Sequence, residues 1–353
     1  MNARSRAVGL VVLAAACGAP ADQGTVLTTA TLTDRVVVLD AATGSVQDSI
    51  SLDPRPVEID EPHGLAAAPD GRHWYATVSH GEPTLWKFER PANRLVGRVR
   101  LGTWGASRIG ITPDSRVALV PDYYRDGVDQ TAPSQVAVVE LGDLTVTARL
   151  ELCPGPHDAQ VSPDGTLAAV ACSLSDEVVF VDMGSLQPVA RVPVERDLEV
   201  GDPAVGPRAK PLNVVWGPEG QNVYVTLHLV GKVVAIGRSG DRKTIRSVAV
   251  GAGPAQLALT PSGATLVVAN RADGSMSLVD RLELVERRRI DLGVTHPHGV
   301  AISSDGLTAF VSYEGDTKSN GGVVAVDLAT GDIVWRRAVG QYHLGVMYLT
   351  AQP

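Results

Sequence analysis

The feature that most constrains this chain is a tight turn that recurs along its 353 residues. The turn reads Pro-Asp-Gly or a close variant, and its copies start at residues 69, 113, 163, 218, 261 and 304. The spacings between copies are 44, 50, 55, 43 and 43 residues. A period in this range indicates a repeat protein with one supersecondary unit per repeat.

A second series of short apolar runs, most of them closed by an acidic residue, accompanies the turns. Its seven copies cover residues 36–40, 85–89, 136–140, 178–182, 233–237, 276–280 and 323–327. Each run is followed by a turn and a further amphipathic segment, and no stretch keeps a helical period. Short β-branched runs between turns predict strands. Four strands per repeat of this length predict a β-propeller.

The two ends of the chain explain why there are seven such runs but only six turns. If the strands of a blade are A to D from the centre outward, Val26 to Leu32 can form strand B of the first blade and Gly345 to Leu349 its strand A. Both termini then build one blade, which closes the ring and leaves no sheet edge exposed. The predicted fold class is an all-β, seven-bladed β-propeller, a single domain spanning residues 25–353.

The segment Tyr224 to Leu227 resembles the motif of the YVTN-repeat propellers, and Val267 to Asn270 and Phe310 to Tyr313 are looser copies. The preceding Pro-Asp-Gly turns belong to the same pattern. The resemblance covers essentially the whole chain after residue 24. It implies the fold and says little about function, because that family includes surface proteins, binding proteins and enzyme subunits.

The first residues predict export. Arg4 and Arg6 precede a short apolar run, and small residues lead up to Cys17. Residues 1–16 are therefore predicted to be a signal peptide. The end of this segment resembles a bacterial lipobox, except that Ala14 stands where leucine is usual, which implies a lipidated Cys17 and a tether over residues 17–24. The alternative is an ordinary cleavage site in which Cys17 is incidental.

Export and charge together set the expected surroundings. A lipid anchor predicts attachment to the bacterial outer membrane, in the periplasm or on the cell surface. The net charge of −8 and the lack of a basic run beyond residues 287–289 argue against nucleic acid as a partner. In an oxidising compartment, Cys153 and Cys172 are expected to form a disulfide. The alternative is that these thiols join His157 as metal ligands.

Strand direction predicts which face is functional. Loops A–B and C–D share one face of a propeller, and loops B–C and D–A share the other. The long loops all belong to the second set, at residues 53–61, 123–134, 195–210 and 314–322. Insertions on one side mark a binding face. We call it the loop-rich face.

Seven of the eight histidines are expected on the loop-rich face, and His73 is the exception. Three converging imidazoles can hold a transition metal, of which copper is the first choice for an exported protein. The predicted metal ligands are His63, His157, His298, His343, His80 and His228. The predicted ligand-binding neighbours are Arg108, Asp158, Asn213, Gln256 and Glu314. The alternative is that one ancestral repeat copied a histidine that only caps backbone groups.

These observations predict a non-enzymatic, monomeric, exported lipoprotein that binds a small ligand, a metal or a protein through its loop-rich face. One alternative is an enzyme, either a lactonase-like hydrolase or a metal-dependent redox protein. The segments 155–157 and 296–299 resemble turns of the propeller lactonases, but no catalytic residue can be matched, so this resemblance implies only the fold. A purely structural cell-surface repeat protein is the second alternative.

Overall fold

The computed structural model describes residues 24–53, 58–123, 131–195, 206–316 and 318–351. Within these ranges, seven four-stranded antiparallel sheets form the seven blades of a propeller. Two single turns of 3₁₀ helix, Thr31–Thr33 and Arg242–Thr244, are the helical elements of the described chain. The predicted all-β, seven-bladed fold is confirmed.

The strands are numbered in chain order. Blades 1 to 3 contain β1 (Thr25–Ala30), β2 (Arg35–Asp40) and β3 (Val46–Ser51); β4 (Pro62–Ala67), β5 (His73–Val78), β6 (Thr84–Glu89) and β7 (Arg94–Arg100); and β8 (Gly110–Ile111), β9 (Val117–Pro121), β10 (Ser134–Glu140) and β11 (Thr145–Cys153). Blades 4 and 5 contain β12 (Pro156–Val161), β13 (Leu167–Cys172), β14 (Glu177–Asp182) and β15 (Gln187–Pro193); and β16 (Pro211–Trp216), β17 (Asn222–Leu227), β18 (Lys232–Gly237) and β19 (Arg246–Ala249). Blades 6 and 7 contain β20 (Pro254–Leu259), β21 (Thr265–Asn270), β22 (Ser275–Asp280) and β23 (Val285–Asp291); and β24 (Pro297–Ile302), β25 (Thr308–Tyr313), β26 (Gly321–Asp327) and β27 (Ile333–Gly340). The last strand, β28 (Val346–Leu349), completes blade 1.

Blade 1 is built from both ends of the chain, as predicted. Its strand order is β28, β1, β2 and β3. The closing pair is antiparallel, with Thr25 opposite Leu349 and Thr28 opposite Val346. This pairing gives β1 a neighbour on its inner side, so the ring is continuous.

The repeated turn joins strands A and B because each of its residues has a local role. In the copy that starts at residue 69, Asp70 accepts a hydrogen bond from the backbone N–H of Arg72, at 2.9 Å. Gly71 has a φ of +71°, a left-handed conformation that glycine adopts without a side-chain clash. Ser115 replaces this glycine in the third blade and still adopts a φ of 61°. The turn therefore keeps its shape even where the sequence varies.

Side-chain hydroxyls join neighbouring blades. In strand B of three blades, one hydroxyl accepts the N–H of strand A in its own blade and donates to a backbone carbonyl in or just before strand A of the next blade. These bonds are Gly64 N–Thr77 Oγ1–Ser107 O (2.7 and 2.6 Å), Asn213 N–Thr226 Oγ1–Ala255 O (3.1 and 2.9 Å) and Gly299 N–Ser312 Oγ–Leu344 O (2.8 and 2.9 Å). The buried backbone groups of strand A are thereby satisfied where its own ladder is irregular.

The predicted signal peptide, Cys17 and all of the predicted tether except Gly24 lie outside the described residues. Among the residues that are described, no helix is long and apolar enough to cross a membrane.

Deleting residues 344–353 should prevent the ring from closing. The deletion removes the buried side chains of Val346, Met347 and Leu349 and leaves β1 as an open edge. Burial of such a side chain is worth roughly 1.5–3 kcal/mol, so we expect Tm to fall by about 10 °C or more, or cooperative melting to disappear. Thermal melting followed by circular dichroism measures this. Deleting only residues 351–353 is the control, and an unchanged Tm for the longer deletion would contradict the closure.

Candidate functional site

A cavity of ≈ 730 Å³ opens on the loop-rich face, and three repeat positions supply its walls. The first position lies at the start of strand A and contributes His63, His157, Leu212, His298 and Leu344. The second lies in the loop after strand B and contributes Leu32, His80, Tyr123, His228, Arg271 and Glu314. The third lies directly before the proline that opens strand A, or before His343 in blade 1, and contributes Glu61, Lys210 and Tyr342. Five of the six histidines predicted as ligands therefore do line one cavity.

The strand-A histidines sit where the pairing of strands A and B is interrupted. In blades 2 and 7, the register shifts between Pro62 and Leu65 and between Pro297 and Val300. Proline has no N–H to contribute to the ladder, so it is tolerated at the first position of the strand. The interruption lies at the edge of the cavity, and the residue after each proline, His63 or His298, contributes its ring to the wall.

The three strand-A histidines are buried and uncharged at neutral pH. The ring centroid of His63 lies 5.8 Å from that of His157 and 6.3 Å from that of His298. Burial, reinforced by neighbouring positive charge, lowers the pKa of His63 and of His298 to about 3. Burial likewise holds the pKa of His157 well below its ordinary value. Neutral imidazoles can accept a proton, so these rings are available as bases.

Contacts with backbone carbonyls orient two of these rings. Nδ1 of His157 lies 2.7 Å from the carbonyl oxygen of Leu212, and Nδ1 of His298 lies 3.2 Å from that of Leu344. A carbonyl oxygen only accepts, so Nδ1 of His157 is protonated and its Nε2 keeps the lone pair. His157 is further held by Tyr123, whose ring meets it edge-on at 4.6 Å. Each imidazole is thus an oriented base.

Charged pairs flank the histidines. Arg271 donates two hydrogen bonds of 2.6 Å to the carboxylate of Glu314, which raise the pKa of Arg271. Glu61 pairs with His80 at 3.1 Å, and this hydrogen bond lowers the pKa of Glu61. Half-buried Lys210 has a lowered pKa because of burial and the nearby charge of Arg271. The cavity therefore offers neutral bases beside fixed charges of both signs.

The predicted ligand-binding residues separate into two groups. Glu314 lines the cavity. Arg108, Asp158, Asn213 and Gln256 each lie one residue beyond the first repeat position and do not line it. Successive side chains of a strand point to opposite sides.

These side chains join the blades instead. Asp158 accepts hydrogen bonds from the side chain of Asn213 and, at 3.0 Å, from the N–H of Val214. Asn213 in turn accepts from the N–H of Leu257 at 2.8 Å. Gln256 Nε2 lies 3.3 Å from Nδ1 of His298, and Arg108 pairs with Asp158 at 3.7 Å. Arg108, Asp158 and Asn213 thus form a network between neighbouring blades, and Gln256 adjoins a ring that lines the cavity.

His343 departs from its predicted place. It occupies the repeat position that proline holds in other blades, so Leu344 takes the cavity-lining position. The ring of His343 is fully buried, with Nδ1 3.2 Å from the hydroxyl of Thr28, and burial lowers its pKa to about 4. A shift of one residue therefore removes this histidine from the cavity.

The described residues do not include a group of three or more His, Cys, Asp or Glu side chains placed to hold a metal ion. In His157 and His298, one ring nitrogen is already bonded to a backbone carbonyl. Cys153 and Cys172 are joined in a disulfide, with Cα atoms 5.9 Å apart, so their sulfurs are not thiolate ligands beside His157. The disulfide instead ties the end of β11 to the end of β13, where Cys172 pairs with Pro156.

Arg271, Lys210, Glu61, Tyr123 and Tyr342 line the cavity but were not predicted from the sequence. Repeat position would have identified several of them. Arg271 directly follows strand B, as His228 and Glu314 do. Glu61 and Lys210 directly precede the proline that starts strand A. The signal is the repeat position of these residues and not their residue type.

Solved structures share the architecture. The periplasmic gluconolactonase of Pseudomonas aeruginosa is 21% identical, with a TM-score of 0.67, over 94% of this chain and 99% of that one. A candidate 6-phosphogluconolactonase of Bacteroides fragilis is 15% identical, with a TM-score of 0.67, over 94% and 99%. Hydrazine synthase of Kuenenia stuttgartiensis is 17% identical, with a TM-score of 0.69, over 88% and 94%. At these identities the likeness shows the fold alone.

Residues 26–343 match a family model described as "Lactonase, 7-bladed beta-propeller". No curated protein matches the chain. The family match overturns the prediction of a non-enzymatic binding module and favours its alternative, a lactonase-like hydrolase. With this match across the propeller, the chain belongs to the lactonase family of seven-bladed β-propellers.

Proposed function

We propose that this protein hydrolyses a small lactone. Water adds to the ester carbonyl, the bond between that carbon and the ring oxygen breaks, and the product is a hydroxy acid that ionises to a carboxylate and a proton. The observation that carries the proposal is the buried, neutral His157, which lines the cavity with its Nδ1 proton fixed on a backbone carbonyl. A neutral imidazole in a fixed position can act as a general base.

His157 is the proposed base. Its Nε2 takes a proton from the attacking water, and the resulting imidazolium can return that proton to the departing ring oxygen. The tetrahedral intermediate carries a negative charge on the former carbonyl oxygen. Lys210 and Arg271, which line the same cavity, are the proposed groups that stabilise this charge and the product carboxylate.

The size and charge of the cavity support a small, polar substrate. A volume of ≈ 730 Å³ lies within the range of small-molecule sites, about 300–1,000 Å³. The acidic side chains of Glu61 and Glu314 can accept hydrogen bonds from hydroxyl groups, and the wall formed by Leu32, Leu344 and Tyr342 can pack against a ring. A hydroxylated lactone of sugar size matches these features.

We further propose that the YVTN-type propeller is exported as a monomer, with residues 1–16 as its signal peptide and Cys17 lipidated at the outer membrane. The Cys153–Cys172 disulfide is consistent with an oxidising compartment. The name of the Pseudomonas relative also refers to the periplasm. Strand β1 runs toward the cavity, so Gly24 lies on the opposite face and an anchor there would leave the cavity open.

Replacing His157 with glutamine should lower lactone turnover. We expect kcat for glucono-1,5-lactone to fall about 10²-fold, because the base is lost while an amide can still bond to Leu212. A pH-indicator assay, corrected for spontaneous hydrolysis, measures this. His73→Gln is the matched control, since His73 lies on the other face and should keep wild-type activity. Equal activity of H157Q and wild type, with both folded, would contradict the role of His157.

Activity should persist in acid. Burial lowers the pKa of His157, so its neutral, basic form survives well below the ordinary histidine value of 6.5. We expect kcat/KM to change by less than about twofold between pH 8 and about pH 5.5. Initial rates measured across this range test the expectation. A half-maximal rate near pH 6.5 would instead indicate an exposed histidine as the base.

Lipid anchoring can be tested separately from activity. If Cys17 is lipidated, the wild-type protein should sediment with membranes and Cys17→Ser should appear in the soluble periplasmic fraction. Immunoblotting of the fractions measures the distribution. The same distribution for both proteins would rule out the anchor.

A further inference from the structure

The residue directly before the proline position that opens strand A, a position held by His343 in blade 1, adopts a left-handed conformation in six blades. In blades 4 and 6 it is glycine, namely Gly155 (φ 56°) and Gly253 (φ 64°). In the other four it carries a side chain, and these residues are Glu61 (φ 55°), Lys210 (φ 55°), His296 (φ 55°) and Tyr342 (φ 62°). A non-glycine residue is strained in this region, so the chain repeatedly keeps a less favourable residue where glycine would fit.

Three other left-handed residues in this protein have a structural reason for their side chains. Leu284 is buried in the core. Asp34 and Asp176 bond to backbone groups. The side chains of Lys210 and Tyr342 have no such burial: Lys210 is half-buried and Tyr342 is 39% exposed, and both line the cavity. Their strain is therefore associated with the cavity and not with the core.

Buried carboxylates hold two of these residues in place. Asp34 accepts the N–H groups of Asp60 and Glu61, at 2.9 and 3.0 Å. Asp176 accepts those of Arg208, Ala209 and Lys210, at 2.6, 3.1 and 2.8 Å. Each aspartate belongs to the blade before the segment it holds and is itself buried. A buried carboxylate is costly in free energy unless it is hydrogen-bonded. The N–H groups of these segments satisfy Asp34 and Asp176, and the same bonds fix the backbone at Glu61 and Lys210.

Backbone contacts hold the third residue. The N–H of Tyr342 donates to the carbonyl oxygen of Glu314 at 2.9 Å, and its own carbonyl accepts from the N–H of Thr31 at 3.1 Å. Because Glu314 and Thr31 belong to blades 7 and 1, Tyr342 is fixed at the closure of the ring. All three residues thus combine a strained conformation, a fixed backbone and a side chain at the cavity wall.

We infer that Glu61, Lys210 and Tyr342 determine the substrate specificity of this site by direct contact with the ligand. The inference rests on the proposed lactone hydrolysis. By its chemistry, Lys210 would contact the anionic oxygens of the carboxylate, Glu61 would accept hydrogen bonds from hydroxyl groups, and Tyr342 would pack against the ring. The position before strand A is then the place where this propeller varies its ligand contacts, and blades 4 and 6 have glycine there.

The test replaces each residue with glycine, which the same position already holds in two blades. The variants are Glu61→Gly, Lys210→Gly and Tyr342→Gly in the full chain. His296→Gly is the matched control, because His296 has the same conformation but does not line the cavity. The measurements are Tm, kcat/KM for glucono-1,5-lactone, and the affinity for D-gluconate by isothermal titration calorimetry.

We expect each of the three variants to keep or raise Tm. Glycine adopts the left-handed conformation without strain, and this gain offsets the larger chain entropy that glycine loses on folding. We expect kcat/KM and gluconate affinity to fall at least about tenfold in K210G, which loses a charge-assisted contact, and severalfold in E61G and Y342G. In H296G both should stay within about twofold of wild type. This combination of kept stability and lost affinity would not result from a structural role.

The outcomes separate the two proposals. If wild type binds gluconate but hydrolyses no lactone, the proposed function fails and the specificity inference is decided by the calorimetry. If wild type neither binds nor hydrolyses these compounds, both fail. If the three variants bind and turn over like wild type, or lose more than about 5 °C in Tm, the specificity inference is wrong while the proposed hydrolysis stands.

Discussion

The pairing of β28 with β1 is the contact on which the rest of the molecule depends. Thr28 and Thr29 of β1 bind the C-terminal segment at Gly345. The hydroxyl of Thr29 accepts a hydrogen bond from the N–H of Gly345 at 2.8 Å, and the hydroxyl of Thr28 donates one to the carbonyl oxygen of Gly345 at 2.9 Å. This closure also completes the cavity, because Leu32 comes from one end of the propeller sequence and Tyr342 and Leu344 come from the other. Stability and site formation are therefore coupled through one strand pair.

Within the closed ring, polar contacts between blades do more than hold the strands together. Hydroxyls such as that of Thr77 satisfy backbone groups at the point where the A–B ladder is irregular. The carbonyl of Leu212, in turn, accepts Nδ1–H from His157 of the preceding blade. A base fixed in this way needs no reorganisation before it acts, which favours catalysis. The scaffold and the proposed chemistry therefore use the same inter-blade contacts.

Particular residues show how far the sequence could predict the site. His63, His157 and His298 share one repeat position, and a ring of identical blades necessarily brings equal positions together, so their convergence was predictable. The prediction for His343 was wrong because this residue is shifted by one position along the repeat, which places its side chain in a buried position instead of at the cavity wall. Asp158 and Asn213 were assigned to ligand binding, but the alternation of side chains along a strand turns them toward the neighbouring blade. Arg271 and Lys210 were missed although their repeat positions match those of other cavity residues.

The sequence by itself determined the repeat, the strand pattern, the closure by both termini and the face on which the histidines lie. These features follow from the conformational preferences of the turn residues and from the regular spacing of the repeats, both of which can be read from residues close together in the sequence. Only the tertiary structure decided the charge of the strand-A histidines, the tautomer of His157, the pairing of Arg271 with Glu314 and the fixed backbone at Glu61 and Lys210. These depend on burial and on contacts between residues far apart in the chain, which no local pattern specifies.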